Sequence, residues 1–151
     1  MQLTMPEEIM LLLLDDRTGR PVGLPPPAAD FAIAGAVLME LSLLGRIDTD
    51  LTQLTVTGMQ TTGDAVLDRA LELIAARPAP RDSRYWIGEL GGQGEAFRAT
   101  LLTRLVNHGV LHAQEGRFLW VFADRRYPKA AEGNAEVREV RARLRDIILS
   151  D

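Results

Sequence analysis

The chain has 151 residues, a net charge of −4 and no cysteine, so disulfides, thiolate metal sites and a cysteine nucleophile are excluded. Hydrophobic residues make up 46% and charged residues 25%, the balance of a folded globular chain rather than a disordered one. Residues 1–80 carry 5 Arg against 11 Asp/Glu, which is −6, and residues 81–151 carry 11 Arg and one Lys against 10 Asp/Glu, which is +2. That balance argues against bulk nucleic-acid binding and leaves room for a local basic patch facing an anion.

The predicted elements are mostly helical. Thr4-Met5-Pro6-Glu7 has the form of a capping box with proline in the first turn, opening a helix that runs through Ile9 to Leu14 and stops near Asp15-Asp16. Four prolines between Arg20 and Pro27 mark a loop. Asp30 is a candidate cap for a second helix, Phe31 to Leu44, where only Glu40 and Ser42 are strongly polar. A helix that is apolar nearly all round is buried, and this one is too short to span a membrane. Gly45 ends it, and Leu51 to Thr57 reads as a short strand region. Asp64 starts a third helix, in which Val66, Leu67, Ala70, Leu71, Leu73 and Ile74 recur at helical spacing.

Pro78-Ala79-Pro80 breaks the chain. Ser83 is a candidate cap for a short helix holding Tyr85, Trp86, Ile87 and Leu90, and Gly91-Gly92-Gln93-Gly94 ends that helix. Phe97, Leu101, Leu102, Leu105 and Val106 form the apolar stripe of the next helix, closed by Gly109. Val110 to His112 and Arg117 to Phe122 read as a hairpin turning at Gln114-Glu115-Gly116. A last amphipathic helix carries Val137, Val140, Leu144, Ile147 and Ile148. The fold class is mainly α with a β-hairpin, as a single domain over residues 1–151, and the helix-plus-hairpin block has a winged-helix layout.

Little in the sequence carries catalytic chemistry. His108 and His112 are four apart, but Gly109 interrupts the helix that would align them, and no HExxH motif is present. Asp15-Asp16 and Asp48-Thr49-Asp50 follow no calcium-loop pattern and read as turn carboxylates. The glycine run at 91–94 lacks a Walker ending, and there is no Gly-x-Ser-x-Gly elbow. The expectation is a non-enzyme without metal or cofactor. The arginines are more suggestive: Arg81 and Arg84 precede Tyr85-Trp86, Arg98 opens a helix, and Arg125, Arg126 and Lys129 follow the hairpin. Arginine beside tryptophan and tyrosine suits a membrane interface.

Several blocks in order resemble the Golgi phosphoprotein 3-like family. They are Leu3 to Leu14, Glu40 to Ile47, Asp64 to Asp68, Tyr85-Trp86-Ile87, and Leu105 to Leu111 with Phe118 to Phe122 and Tyr127-Pro128. The resemblance implies a helical fold with a protruding apolar hairpin. It also implies a cytoplasmic, non-enzymatic adaptor, peripheral on a membrane, that binds phosphatidylinositol 4-phosphate or another anionic lipid. Further implications are contact with protein tails, and oligomerisation or membrane contact through Phe118, Leu119, Trp120, Val121 and Phe122.

The arginine-rich, lysine-poor composition resembles that of a high-GC bacterial chain. The implied lipid and phosphate contacts are Arg98, Trp86, Arg84, Arg125 and Arg126. The family's pocket departs from this sequence: its first Trp/Arg pair aligns with the Leu24-Pro25 region and Ala34, and of its second arginine pair only Arg98 remains, with Glu95 in the other place. The resemblance also implies further helices beyond the segment matching Val137 to Ile148, so the expectation is either a short member of the family or a fragment of a longer chain. An apolar face is expected there, covered by another subunit, covered by rearrangement, or left exposed. Two other readings stand beside the lipid adaptor: a protein-interaction or oligomerisation module without lipid binding, and a winged-helix DNA binder. The second is disfavoured because its helix offers only Arg98 and Arg104 and its wing turn holds Glu115.

Overall fold

The computed structural model describes residues 3–14, 26–50, 52–77, 79–114 and 117–121. They belong to two compact units, one drawn from residues 25–100 and the other from residues 1–24 with 101–151. The element order is α1 (Met5–Leu12), α2 (Pro26–Leu43), β1 (Ile47–Thr49), β2 (Leu54–Val56), α3 (Ala65–Ala75), α4 (Ser83–Gly91), α5 (Gly94–Asn107), β3 (Leu111–Gln114) and β4 (Arg117–Trp120). This is the mainly helical architecture with a helix-plus-hairpin block expected from the sequence.

In the unit of residues 25–100, α2 is the core element. Ile33, Ala34, Val37, Leu38 and Leu41 are buried, and α2 packs against α4, α3 and β1. Leu67, Leu71 and Ile74 of α3 and Trp86 and Leu90 of α4 complete the core. Close approach of α2 and α4 depends on a missing side chain. The Phe31 ring lies where a Cβ on Gly91 would sit 3.0 Å away, so a larger residue there would push the ring aside.

The chain reverses after α2 at Gly45, whose φ of 74° lies in the left-handed region that glycine adopts freely. Arg46 then ties the helix end to the next loop. Its guanidinium donates to the carbonyls of Leu44 at 2.7 Å, Gln60 at 2.9 Å and Thr61 at 3.4 Å.

Two local expectations are corrected, and a third is extended. Pro26 lies within α2, so Asp30 is inside the helix and does not cap it. Asp82, not Ser83, caps α4, because its carboxylate reaches the Tyr85 amide at 2.8 Å. The strand at Leu54–Val56 has an antiparallel partner in Ile47–Thr49, with Ile47 opposite Val56. That partner is too short and too exposed to show a period-two pattern. Asp50 closes this hairpin by accepting from the amides of Thr52 at 2.7 Å and Gln53 at 2.8 Å.

In the other unit, the capping box of α1 is complete: Thr4 Oγ1 accepts from the Glu7 amide at 3.3 Å and Glu7 accepts from the Thr4 amide at 3.1 Å. At its C-terminal end, α5 turns at Gly109, with φ of 76°, into the β3–β4 ribbon. Leu111 pairs with Trp120 and Gln114 pairs with Arg117, so Gln114 is a strand residue rather than part of the turn. The predicted helix around Val137 to Ile148 lies outside the described residues.

Two carboxylates make this framework acid-sensitive. Asp68 accepts from the Thr62 amide at 2.8 Å, with further bonds from the Thr61 and Thr62 hydroxyls. The Thr62 amide is the main reason that its pKa lies below the ordinary carboxylate value, and the Arg46 charge adds to the effect. The Thr52 amide likewise lowers Asp50. A depressed folded-state pKa gives stability that is present above the unfolded value and lost as pH falls through the folded one. Urea midpoints are therefore expected to fall below about pH 4, and Asp68→Asn should flatten that acid limb. The buried N-cap Asp64 accepts from Val66 at 2.9 Å and Leu67 at 3.1 Å. Asp64→Ala is expected to cost about 1–2 kcal/mol in urea unfolding.

Candidate functional site

The sequence-predicted lipid residues fall at separate places. Arg98 lies in the first turns of α5, half-buried. Its Nη2 is 3.2 Å from Asp30 Oδ1, and its Nε donates to the Gly94 carbonyl at 3.3 Å. Helical geometry explains the second bond, since residues 94 and 98 are one turn apart. The first comes from packing, which sets α2 beside the start of α5.

The contact at Asp30 is close enough to need glycine. A Cβ on Gly94 would collide with the Asp30 carboxylate. Arg98 is thus the partner of a carboxylate from its own chain, and the exposed Glu95 is one turn earlier on the same helix. Arg104, the other arginine of α5, is half-buried, so α5 displays no exposed arginine.

Trp86 is 2% exposed on α4. It floors a cavity of about 290 Å³ whose wall includes Leu54, Val56, Met59, Ile74 and Arg77. Arg98 is not among the residues lining it. Tyr85 stands beside Trp86, edge to face, with ring centroids 5.2 Å apart. Two guanidiniums flank the tyrosine: Arg81 at 4.8 Å from the ring centroid and Arg77 at 5.8 Å. Arg84 is exposed on the same helix. Sequence reading singled out Arg81, Arg84 and Trp86 but missed Arg77. The spacing of arginines at 77 and 81 across Pro78-Ala79-Pro80 was the available signal.

The β3–β4 ribbon is two-stranded among the described residues, so both strands have an outer edge. Phe118 and Leu119 are half-buried and Val121 is 51% exposed. The Val121 amide donates to the Val110 carbonyl at 3.0 Å, which extends the pairing by one residue toward the base of the ribbon. Phe122, Arg125 and Arg126 lie outside the described residues, as does the side chain of Trp120. His108 and His112 are both exposed, His112 on β3 and His108 in the turn after α5.

A mainly helical fold with a helix-plus-hairpin block is the arrangement that the resemblance implied. The sequence matches the Golgi phosphoprotein 3 (GPP34) family over residues 5–151. The chain belongs to that family. Membership extends across both compact units and through the ribbon. In this member of the Golgi phosphoprotein 3 family, the arginine at the start of α5 is engaged by Asp30, while Arg77 and Arg81 gather around Tyr85. Among the described residues, no helix is long and apolar enough to cross a membrane.

The Asp30–Gly94 contact gives a direct test of the packing that holds Arg98. Gly94→Ala is expected to destabilise the protein by about 1–3 kcal/mol. Adding Asp30→Ala should recover part of that loss, because it removes the clashing carboxylate, and a double-mutant cycle by urea unfolding reads the coupling.

Proposed function

We propose that this protein is a non-catalytic peripheral adaptor that docks on an anionic membrane surface. The observation that carries the reading is the β3–β4 ribbon, with exposed Val121 and half-buried Phe118 and Leu119, in a Golgi phosphoprotein 3 family chain. Exposed apolar side chains on a narrow ribbon suit shallow insertion among lipid headgroups, and arginines hold the phosphates beside them. In this reading Arg84, Arg125 and Arg126 meet headgroup phosphate, phosphatidylinositol 4-phosphate included. Arg98 contributes when a phosphate replaces Asp30, and the ribbon residues Phe118 to Phe122 insert. Trp86 acts from within the core, holding α4 in place. The cytoplasmic face of a membrane is the proposed location, reached without a spanning helix.

A second reading, a protein-interaction module that self-associates through the ribbon and binds protein tails without lipid, draws support from the Asp30–Arg98 pair. A carboxylate oxygen lies 3.2 Å from the Nη2 of the arginine that would grip phosphate, so a phosphate must compete with it.

Flotation separates the two. The protein is expected to float with vesicles containing phosphatidylserine or phosphatidylinositol 4-phosphate and to stay behind with neutral phosphatidylcholine. Leu119→Asp with Val121→Asp should cut membrane partition about tenfold. Failure of the folded protein to float with either anionic vesicle removes the lipid reading. In that case light scattering of the same double variant tests the second: an oligomer falling to monomer supports it, and an unchanged mass counts against it.

A further inference from the structure

We infer that the cavity floored by Trp86 is a binding site for a small anionic amphiphile, with the anionic head between Arg77 and Arg81 and the apolar body inside. This site is separate from the ribbon and from Arg98, and it does not depend on membrane docking. Its wall is apolar at depth: Leu54, Ile74 and Trp86 are buried, while Val56 and Met59 stand toward the opening. Met59 is 57% exposed, and a flexible thioether there adapts to different apolar bodies. The volume of about 290 Å³ is near the lower bound of small-molecule pockets, about 300 Å³. It is roughly twice the ~150 Å³ cavity that holds one benzene ring. A single ring with a short chain, or a medium-length acyl chain, is therefore the right size.

The charge lies at one side of this cavity. Arg77 lines it, and the backbone of Arg81 adjoins it, following the wall residues Ala79 and Pro80 and accepting at its carbonyl from the amide of wall residue Leu54 at 2.6 Å. The two guanidiniums converge on the Tyr85 ring at 5.8 and 4.8 Å. Stacking on a tyrosine holds a guanidinium in place without neutralising it. Among the described residues, Arg81 has no ion pair. Arg77 has one, with Glu89 at 3.4 Å, where both side chains are about half exposed. Such a surface pair is weak, so a ligand anion can displace it. A carboxylate or monoester phosphate is the head that two arginines select, through bidentate hydrogen bonds.

Calorimetric titration of the full chain with octyl phosphate, octanoate and octanol, each below its micelle concentration, tests the site. Saturable one-to-one binding of both anions, at least about tenfold tighter than octanol, is expected. Equal affinity for octanol, or no saturable binding by folded protein, overturns the proposal. Arg77→Gln with Arg81→Gln, at exposed positions, should weaken octyl phosphate about tenfold and leave octanol unchanged. Glu89→Gln should strengthen it by freeing Arg77. Ala75→Trp fills the cavity from the exposed end of α3 and should abolish binding; if circular dichroism shows that variant unfolded, the arginine pair carries the test alone. Unchanged octyl phosphate affinity in the arginine double variant overturns the proposal.

Leu119→Asp with Val121→Asp should bind octyl phosphate normally, so this result and membrane flotation fail independently. Competition with phosphatidic acid vesicles identifies the source of the head. Displacement assigns the site to a lipid phosphate, and its absence assigns it to a free amphiphile.

Discussion

The burial of α2 is the constraint on which the unit of residues 25–100 depends. An eighteen-residue helix with almost no polar face cannot remain in water. It must be covered on several sides, and α3, α4 and β1 cover it. Each covering element then has a fixed orientation. Trp86 of α4 turns inward, which leaves Tyr85 and Arg84 at the outside of the same helix. The β1–β2 hairpin brings Leu54 and Val56 to the side of Trp86, and the end of α3 adds Ile74 and Arg77. The cavity is what remains where these three elements converge on one side of the tryptophan.

The same packing decides what Arg98 can do. Helix α2 passes near enough to the start of α5 that Asp30 touches Gly94 and pairs with Arg98. An arginine judged by sequence position alone is a free cation. An arginine facing a carboxylate at 3.2 Å is half of an ion pair, and any phosphate must compete with that carboxylate. By contrast, Arg81 stacks on the Tyr85 ring, which orients a guanidinium while leaving its donors available to an anion, and Arg77 shares that ring while holding a half-exposed ion pair with Glu89. Two sets of arginines in one chain thus differ in readiness to bind, and the difference comes from their neighbours rather than from their charge.

The ribbon follows a separate logic. It is short, among the described residues both strands have an outer edge, and the adjacent Phe118 and Leu119 fall on opposite faces. Val110 and Leu111 at its base are buried, whereas His112, Ala113 and Gln114 are exposed. In the pairing register Leu119 is opposite His112 and Phe118 is opposite Ala113.

Much of this was legible in the residues themselves. The capping box Thr4–Glu7, the N-cap Asp64, the glycine stops at 45 and 109 and the apolar run of α2 are local signals, because each depends on atoms within a turn or two of chain. The ordered blocks gave the family. Three things were not legible. Strand β1 is three residues long with only Ile47 buried, too short for a period to appear. Asp30 looked like a helix cap because its long-range partner is invisible to local pattern. The gathering of Arg77 and Arg81 on Tyr85 beside a cavity depends on where β2, α3 and α4 meet. Sequence alone determined which of the described segments are helical, the caps of α1 and α3, the glycine stops after α2 and α5, and which helix must be buried. Only the tertiary structure decided which neighbours each arginine has, since that depends on side chains far apart in sequence and a few ångströms apart in space.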